Sequence, residues 1–296
     1  MALPRSAAEA AVRIALVAPA TAERLAANPS PFLTAGEFSR ALAYRNPDRR
    51  RDWIIGRVAA KWLVLTGVAG AAHERRFTWP PLMQFVEHAG VREADYRRVE
   101  ILADGEGAPR LSWCGTFPLE GPAFLSISHC AGWIAAAVSS VGPIGVDVEE
   151  VARRRPQFYQ FYFSDAERRW MLDAPATERD RLGMLLWTIK EAFLKTGCSA
   201  ARSVWEMHAV EVRVSRSAGA VATDWPTLGS ECLASVDVNL QVTDRALRPR
   251  VAYGGVGPLV LGIVALTRAT DASAASANSC LMNAGDHITS ARGGIP

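Results

Sequence analysis

No apolar run in the 296-residue chain is long enough to cross a bilayer. The longest clean stretch, Pro258 to Leu266, falls well short of the ~20 residues a spanning helix needs. Cysteine is scarce: Cys114, Cys130, Cys198, Cys232 and Cys280 are odd in number and widely spaced, with no CxxC and no Cys/His cluster. That pattern argues against a disulfide framework and a zinc site and predicts a reducing, cytoplasmic setting. Charge of one sign is also missing. The net charge is +3, from 33 basic and 30 acidic residues, too little to draw nucleic acid or an anionic membrane. Met1 to Ala27 has no apolar core of the kind a secretory leader carries, because Arg5, Glu9, Arg13, Glu23 and Arg24 interrupt it. No short repeat is visible, which excludes solenoids and propellers. An apolar share of 49% excludes disorder as the dominant state, and the length suits one large domain or two modest ones.

What the chain does hold is clustered arginine: Arg49-Arg50-Arg51, Arg75-Arg76, Arg97-Arg98 and Arg153-Arg154-Arg155. The guanidinium fork pairs two phosphate oxygens at once, although any one cluster also reads as a solvated helix face. Helical spacing of Trp53, Ile54, Val58, Trp62 and Leu65 predicts a helix over Arg50 to Thr66. Ser164-Asp-Ala-Glu167 is a capping box that opens a helix from Asp165 to about Leu172, and Arg181 to Thr196 predicts another, stopped by Gly197. Strands are predicted over Val12 to Ala18, Val99 to Ala103, Leu125 to Ser128, Trp133 to Val138, Ile144 to Val148, Val210 to Val214, Cys232 to Val242 and Leu259 to Leu266, with Ser128 to Gly132 as a turn. The two halves share a rhythm of helices followed by strands. Ala269 to Pro296, rich in Ala, Ser, Asn and Gly, predicts a disordered tail.

Three short segments carry chemistry. In Gly145-Val146-Asp147-Val148-Glu149, strand alternation puts Asp147 and Glu149 on one face, roughly 7 Å apart. Carboxylates this close repel unless a cation lies between them, and hard oxygen donors favour Mg²⁺ or Mn²⁺. A solvated edge strand is the plain alternative. On the Arg181 to Thr196 helix, Trp187, Glu191 and Lys195 fall on one stripe at i, i+4 and i+8. The same stripe could be a core tryptophan beside a helix salt bridge. In Ser126-Ile127-Ser128-His129, an imidazole at a strand end beside two hydroxyls suits an anion, or simply a buried structural histidine.

Taken in order, with Glu191 44 positions after Asp147, these segments resemble the 4'-phosphopantetheinyl transferase superfamily. Its signatures GxDxE and WxxKEAxxK stand here as GVDVE (Gly145 to Glu149) and WTIKEAFLK (Trp187 to Lys195), preceded by SISH (Ser126 to His129). FYFSDAE (Phe161 to Glu167) is similar to the family's RFFSxxE segment, and RRRDWIIGRVAAKWLV (Arg49 to Val64) to its basic helix. The resemblance runs from about residue 40 to residue 266, and the length is similar to the Sfp-type branch, in which two halves are fused and a monomer is expected.

The resemblance implies an α+β fold of two pseudo-symmetric halves, each with helices on a small antiparallel sheet and the active site in the cleft between them. Residues 1–142 would form the N-terminal half, 143–268 the C-terminal half and 269–296 the tail. It implies transfer of the 4'-phosphopantetheine arm of coenzyme A to a serine of an apo acyl or peptidyl carrier protein, with release of adenosine 3',5'-bisphosphate. Asp147, Glu149 and Glu191 would hold Mg²⁺, with Mn²⁺ an alternative. These three and Lys195 form the implied catalytic set, and the general base is left open between Glu191, Glu149 and a metal-bound water. Arg49, Arg50, Arg51, Lys61, Arg110, Ser128, His129, Lys190 and Lys195 are the implied coenzyme A contacts. The family's Gly-Lys-Pro turn reads Gly107-Ala108-Pro109-Arg110 here, so Arg110 would supply the charge one step later. The carrier would dock through Phe158, Tyr159, Phe161, Tyr162 and Arg153 to Arg155. Neither nucleic acid nor membrane is an expected partner. The competing readings are a Mg²⁺-dependent phosphohydrolase of coenzyme A or a nucleotide, and a non-catalytic carrier-binding module.

Overall fold

The computed structural model describes residues 12–67, 83–84, 91–114, 123–199, 201, 203–212, 234–236, 240, 242–244 and 246–268. In chain order these form β1 (Val12–Val17), α1 (Pro19–Ala27), α2 (Ala35–Leu42), α3 (Pro47–Gly67), β2 (Met83–Gln84), α4 (Glu93–Tyr96), β3 (Val99–Ala103), β4 (Pro109–Trp113), β5 (Phe124–Cys130), β6 (Trp133–Ser139), β7 (Ile144–Glu150), α5 (Pro156–Tyr162), α6 (Asp165–Asp173), α7 (Arg179–Lys195), a 3-10 turn (Val204–Ala209), β8 (Ala234–Val236), β9 (Leu247–Val256) and β10 (Leu259–Arg268). The fold is α+β. Two four-stranded sheets run β2-β1-β6-β5 and β7-β10-β9-β8, and β3-β4 is a separate hairpin.

Alternation along the strands decides the layering. Ala15, Val17, Ile134 and Ala136 face α3, whose Ile55, Val58, Ala59 and Trp62 are buried against them. The opposite faces, Ile14, Leu16, Ala135 and Ala137, meet Ile144, Val146, Val148, Leu261 and Ile263 of the second sheet. Beyond that sheet Val264 and Leu266 pack with α7 through Leu186, Ile189 and Phe193. The order is therefore helix, sheet, sheet, helix. Val146 and Val148 point inward, so Asp147 and Glu149 fall on the side of α7. Gly145 is required there, because a Cβ would collide with the carbonyl oxygen of Ala192, and at Gly262 one would run into the α7 backbone at Thr188.

The halves repeat one plan. In each, an opening strand pairs antiparallel with the last strand of a hairpin, β1 with β6 and β7 with β10, and a long helix covers the outer face. The repetition extends to single atoms. Thr34 and Ser164 each cap a helix in a box closed by Glu37 and Glu167. The second oxygen of each glutamate accepts a distant backbone N–H, Ile101 for Glu37 and Val212 for Glu167. Each glutamate also takes a fully buried ammonium, Lys61 or Lys190, which donates in addition to the carbonyl of Phe32 or Tyr162.

Several sequence expectations change. Ser128 and His129 belong to β5, and the turn to β6 is only Ala131-Gly132, with φ of 50° and 78°. Val210 to Val212 follow a 3-10 turn without forming a strand, and residues 213–214 lie outside the described residues. Of Cys232 to Val242 the described strand is Ala234–Val236. The tail at 269–296 also lies outside the described residues. β9 is a strand that the sequence reading left out.

Candidate active site

The outer edges of the two sheets meet at β5 and β7. Among the described residues no strand pairs with β7 on that side, so its N–H groups need acceptors. Side chains of β5 supply them at alternate positions: Ser126 Oγ accepts from Val146 N (3.1 Å), Ser128 Oγ from Val148 N (3.4 Å) and Cys130 Sγ from Glu150 N (3.3 Å). The opposite face of β5 puts Leu125 and Ile127 against α3 and turns His129 toward Asp52 of that helix. The SISHC segment thus seals the seam with one face and presents an imidazole with the other.

At this seam Asp147, 4% exposed, donates nothing and accepts from Ser128 Oγ (2.7 Å) and Lys195 Nζ (2.6 Å) through Oδ1. Its Oδ2 is buried without a hydrogen-bond partner. Glu149 meets Arg154 (3.4 Å) and the thiol of Cys130 (3.7 Å), and the Trp187 indole N–H is directed at the same carboxylate. Burial pushes Glu149 up, and Asp147 adds to the rise. On α7, burial followed by the charges of Asp147 and Glu149 pushes Glu191 up to about 7, against the pull of Lys195. Glu149 and Glu191, both raised by burial and by neighbouring carboxylates, mark a site short of positive charge. Their hard oxygens and the orphaned Oδ2 fit a divalent cation of the Mg²⁺ class. Among the described residues no three of His, Cys, Asp and Glu already converge as a closed cage, and Lys195 holds the position nearest Asp147.

The structure sorts the expected coenzyme A contacts. Lys195, with its side chain 30% exposed, and His129, half exposed, stay at the seam. Arg49 is exposed, its charge acts on His129, and no hydrogen bond or ion pair engages its guanidinium among the described residues. Arg50 is occupied by the carbonyl of Tyr44 (2.6 and 3.1 Å). Arg51 is occupied by Glu23 (2.6 Å), Asp48 (3.0 Å) and both donors to Asp52 (2.9 and 3.0 Å). The Ser128 hydroxyl is held between Asp147 and Val148 N, so it is not open to a phosphate as expected. Lys61 and Lys190, both expected at coenzyme A, are fully buried in the twin glutamate clamps and do not reach the seam. Arg110, exposed on the β3-β4 hairpin, pairs with Asp104 (2.8 Å) and makes no described contact with the carboxylates.

Sequence reading missed Asp52 and Trp205, and it expected Arg154 at the carrier surface, whereas its guanidinium sits 3.4 Å from Glu149. Asp52 was signalled by a single acid after three arginines at a helix start. Trp205, 73% exposed, stands beside Tyr162 (6.4 Å between rings), and Phe161 is 66% exposed. Inward from them the rings of Tyr162, Phe158 and Trp187 meet edge-on or tilted with centroids about 5 Å apart, and Arg153 and Arg155 are exposed nearby.

Residues 143–243 match the model of the 4'-phosphopantetheinyl transferase superfamily. A Bacillus pumilus protein described as 4'-phosphopantetheinyl transferase psf-1 is 33% identical over 75 residues, which is 25% of this chain and 32% of that one. The chain thus spans about a third of the curated relative it matches. A Thermotoga maritima holo-acyl-carrier-protein synthase structure is 19% identical at a TM-score of 0.31, covering 44% of this chain and 65% of that one. No helix among the described residues is long and apolar enough to cross a membrane. Residues 143–243, which bring Asp147, Glu149, Glu191 and Lys195 together, are thus the part of the chain that is similar to the 4'-phosphopantetheinyl transferase superfamily.

Proposed function

We propose that this protein transfers the 4'-phosphopantetheine arm of coenzyme A to a serine of an apo carrier protein. The new bond joins the serine oxygen to the phosphorus that bears pantetheine. The bond from that phosphorus to the nucleotide breaks, releasing adenosine 3',5'-bisphosphate. The observation that carries the reading is the acidic site: Asp147, Glu149 and Glu191 beside the Lys195 ammonium, the two glutamates raised and one buried oxygen of Asp147 unpartnered. Asp147, Glu149 and Glu191 would hold Mg²⁺, which when bound neutralises charge on the pyrophosphate. Glu191 keeps a proton near neutrality, so it must give it up before it serves as a ligand. Lys195, His129 and Arg49 are the groups left to meet phosphate oxygens, and they place coenzyme A across the seam. Residues up to 142 then belong to the nucleotide side and residues from 143 to the metal side.

The decisive experiment incubates the protein with coenzyme A, Mg²⁺ and a panel of apo carrier proteins, each then weighed intact. A gain of about 340 Da, the mass of the arm, on at least one carrier is expected. Consumption of coenzyme A to free phosphopantetheine with no carrier gaining mass would replace transfer with hydrolysis.

The exposed aromatic apron of Phe161 and Trp205, rimmed by Arg153 and Arg155, suits an acidic carrier helix with an apolar ridge. Phe161→Asp and Trp205→Ala are each expected to raise the KM for the carrier by about tenfold and to leave the KM for coenzyme A unchanged. Steady-state kinetics with each substrate varied in turn checks this, and equal changes in both KM values would remove the apron as the docking surface.

A further inference from the structure

We infer that Asp52 is a positioning residue that holds His129 for the phosphate end of coenzyme A, an inference that rests on the transferase reading above. Asp52 Oδ2 lies 3.4 Å from His129 Nδ1. Its other oxygen accepts both Arg51 Nε (3.0 Å) and Nη2 (2.9 Å), and Arg51 is itself pinned by Glu23 and Asp48. The side chain is 11% exposed, held from behind by a charged network and turned toward one imidazole. The two ring nitrogens lie on opposite edges. A carboxylate 3.4 Å from Nδ1 favours the proton on that nitrogen and leaves Nε2 on the edge away from Asp52.

The groups whose charges reach the ring are Asp52 and Arg49 from α3, Lys195 from α7 and Asp147 from β7. Two of those neighbours are cations with free donors, which is the composition of an anion pocket. Burial lowers the proton affinity of the free ring and Asp52 opposes that, so a phosphate arriving at Nε2 meets a ring that Asp52 helps to protonate there, the new N–H donating to a phosphate oxygen while the carboxylate balances the charge. Arg51 therefore serves the site from behind, through Asp52, and Arg49 is the member of the arginine triplet left to touch substrate. Nothing in the sequence motifs assigns Asp52, since it belongs to neither the acidic strand nor the helix stripe.

In Asp52→Asn the amide oxygen keeps the Arg51 donors, so the NH₂ faces His129 and donates to Nδ1. Long-range proton–nitrogen NMR spectra of the labelled full chain are expected to show Nδ1–H in the native protein and Nε2–H in the variant. The same variant is expected to raise the KM for coenzyme A about tenfold with kcat changed less than about twofold. In a His129→Ala background Asp52→Asn should add nothing, because its effect runs through the ring. An unchanged tautomer, or an equal KM effect without His129, would overturn the inference. If the native protein modifies no carrier, coenzyme A affinity by calorimetry replaces KM in the same cycle. The transferase reading then fails while the tautomer and the non-additivity still decide the role of Asp52.

Discussion

Glu191→Gln is expected to lower kcat/KM for transfer by at least about a thousandfold and, in the metal-free protein, to raise thermal stability at pH 8. The two effects have one cause. Burial first, and then the charges of Asp147 and Glu149, push this carboxyl up to about 7 from an ordinary 4.5. Between those values the folded protein keeps a proton that the unfolded chain releases, so stability falls as pH rises through that window. Above about 7 the folded state carries the third carboxylate charge, at a cost of about 1 kcal/mol once solvent screening is allowed for. Glutamine has no charge to lose, so the variant escapes the penalty and can no longer complete the ligand set. Scanning calorimetry with a chelator at pH 5 and pH 8 should show a smaller loss of stability for the variant than for the native protein. Excess Mg²⁺ should then restore the native protein at pH 8 and leave the variant almost unmoved. Parallel pH responses, or near-native transfer by the variant, would remove Glu191 from the site. Asp147→Asn tests the same centre from the strand. Its transfer should be equally impaired, and Lys195 loses the carboxylate that now holds it at 2.6 Å.

Much of this centre was legible because its spacing is local. Strand alternation alone puts Asp147 and Glu149 on one face, and the i, i+4 relation puts Glu191 one turn from Lys195. The buried face of α3 was equally legible from Trp53, Val58 and Trp62. What escaped depends on partners remote in sequence. Lys61 reads as surface charge on a basic helix because nothing local reveals Glu37, 24 positions away, waiting in the core. Ser128 reads as a ligand for phosphate because sequence does not show that β7 has an open edge beside it. The Thr34-to-Glu37 capping box was overlooked among Pro29, Pro31 and Pro47, although Pro47 is a favourable helix start. β9 was hidden by Pro249 and the Gly254-Gly255 pair. Pro249 is tolerated because, among the described residues, the β8 ladder runs along Val251 to Tyr253, so the missing N–H falls beyond it.

The reassignment of Lys61 and Lys190 leads to the second large effect, on stability. Glu167→Ala is expected to cost about 3–5 kcal/mol of unfolding free energy. It strands a fully buried ammonium and at the same time releases the N–H groups of Ser164 and Val212. Glu37→Ala should cost a similar amount, since Lys61, Thr34 N and Ile101 N depend on it in the same way. The exposed pair Arg168–Asp165 supplies the contrast, with a loss of at most about 1 kcal/mol for Asp165→Ala. Lys190→Met combined with Glu167→Gln should be milder than the two single losses added together, because no charge is then left unpaired in the core. Urea unfolding followed by tryptophan fluorescence measures all of these. Coenzyme A binding separates the structural role from a substrate contact. Lys61→Met paired with Glu37→Gln should retain native affinity if both lysines act as rivets of the twin clamps. A fold of native stability that has lost about tenfold in coenzyme A affinity on changing either lysine would instead return that lysine to the substrate. Equal stability losses in the two halves would show that the repeated plan carries the same energetic role twice, although only one copy kept the acidic strand beside it.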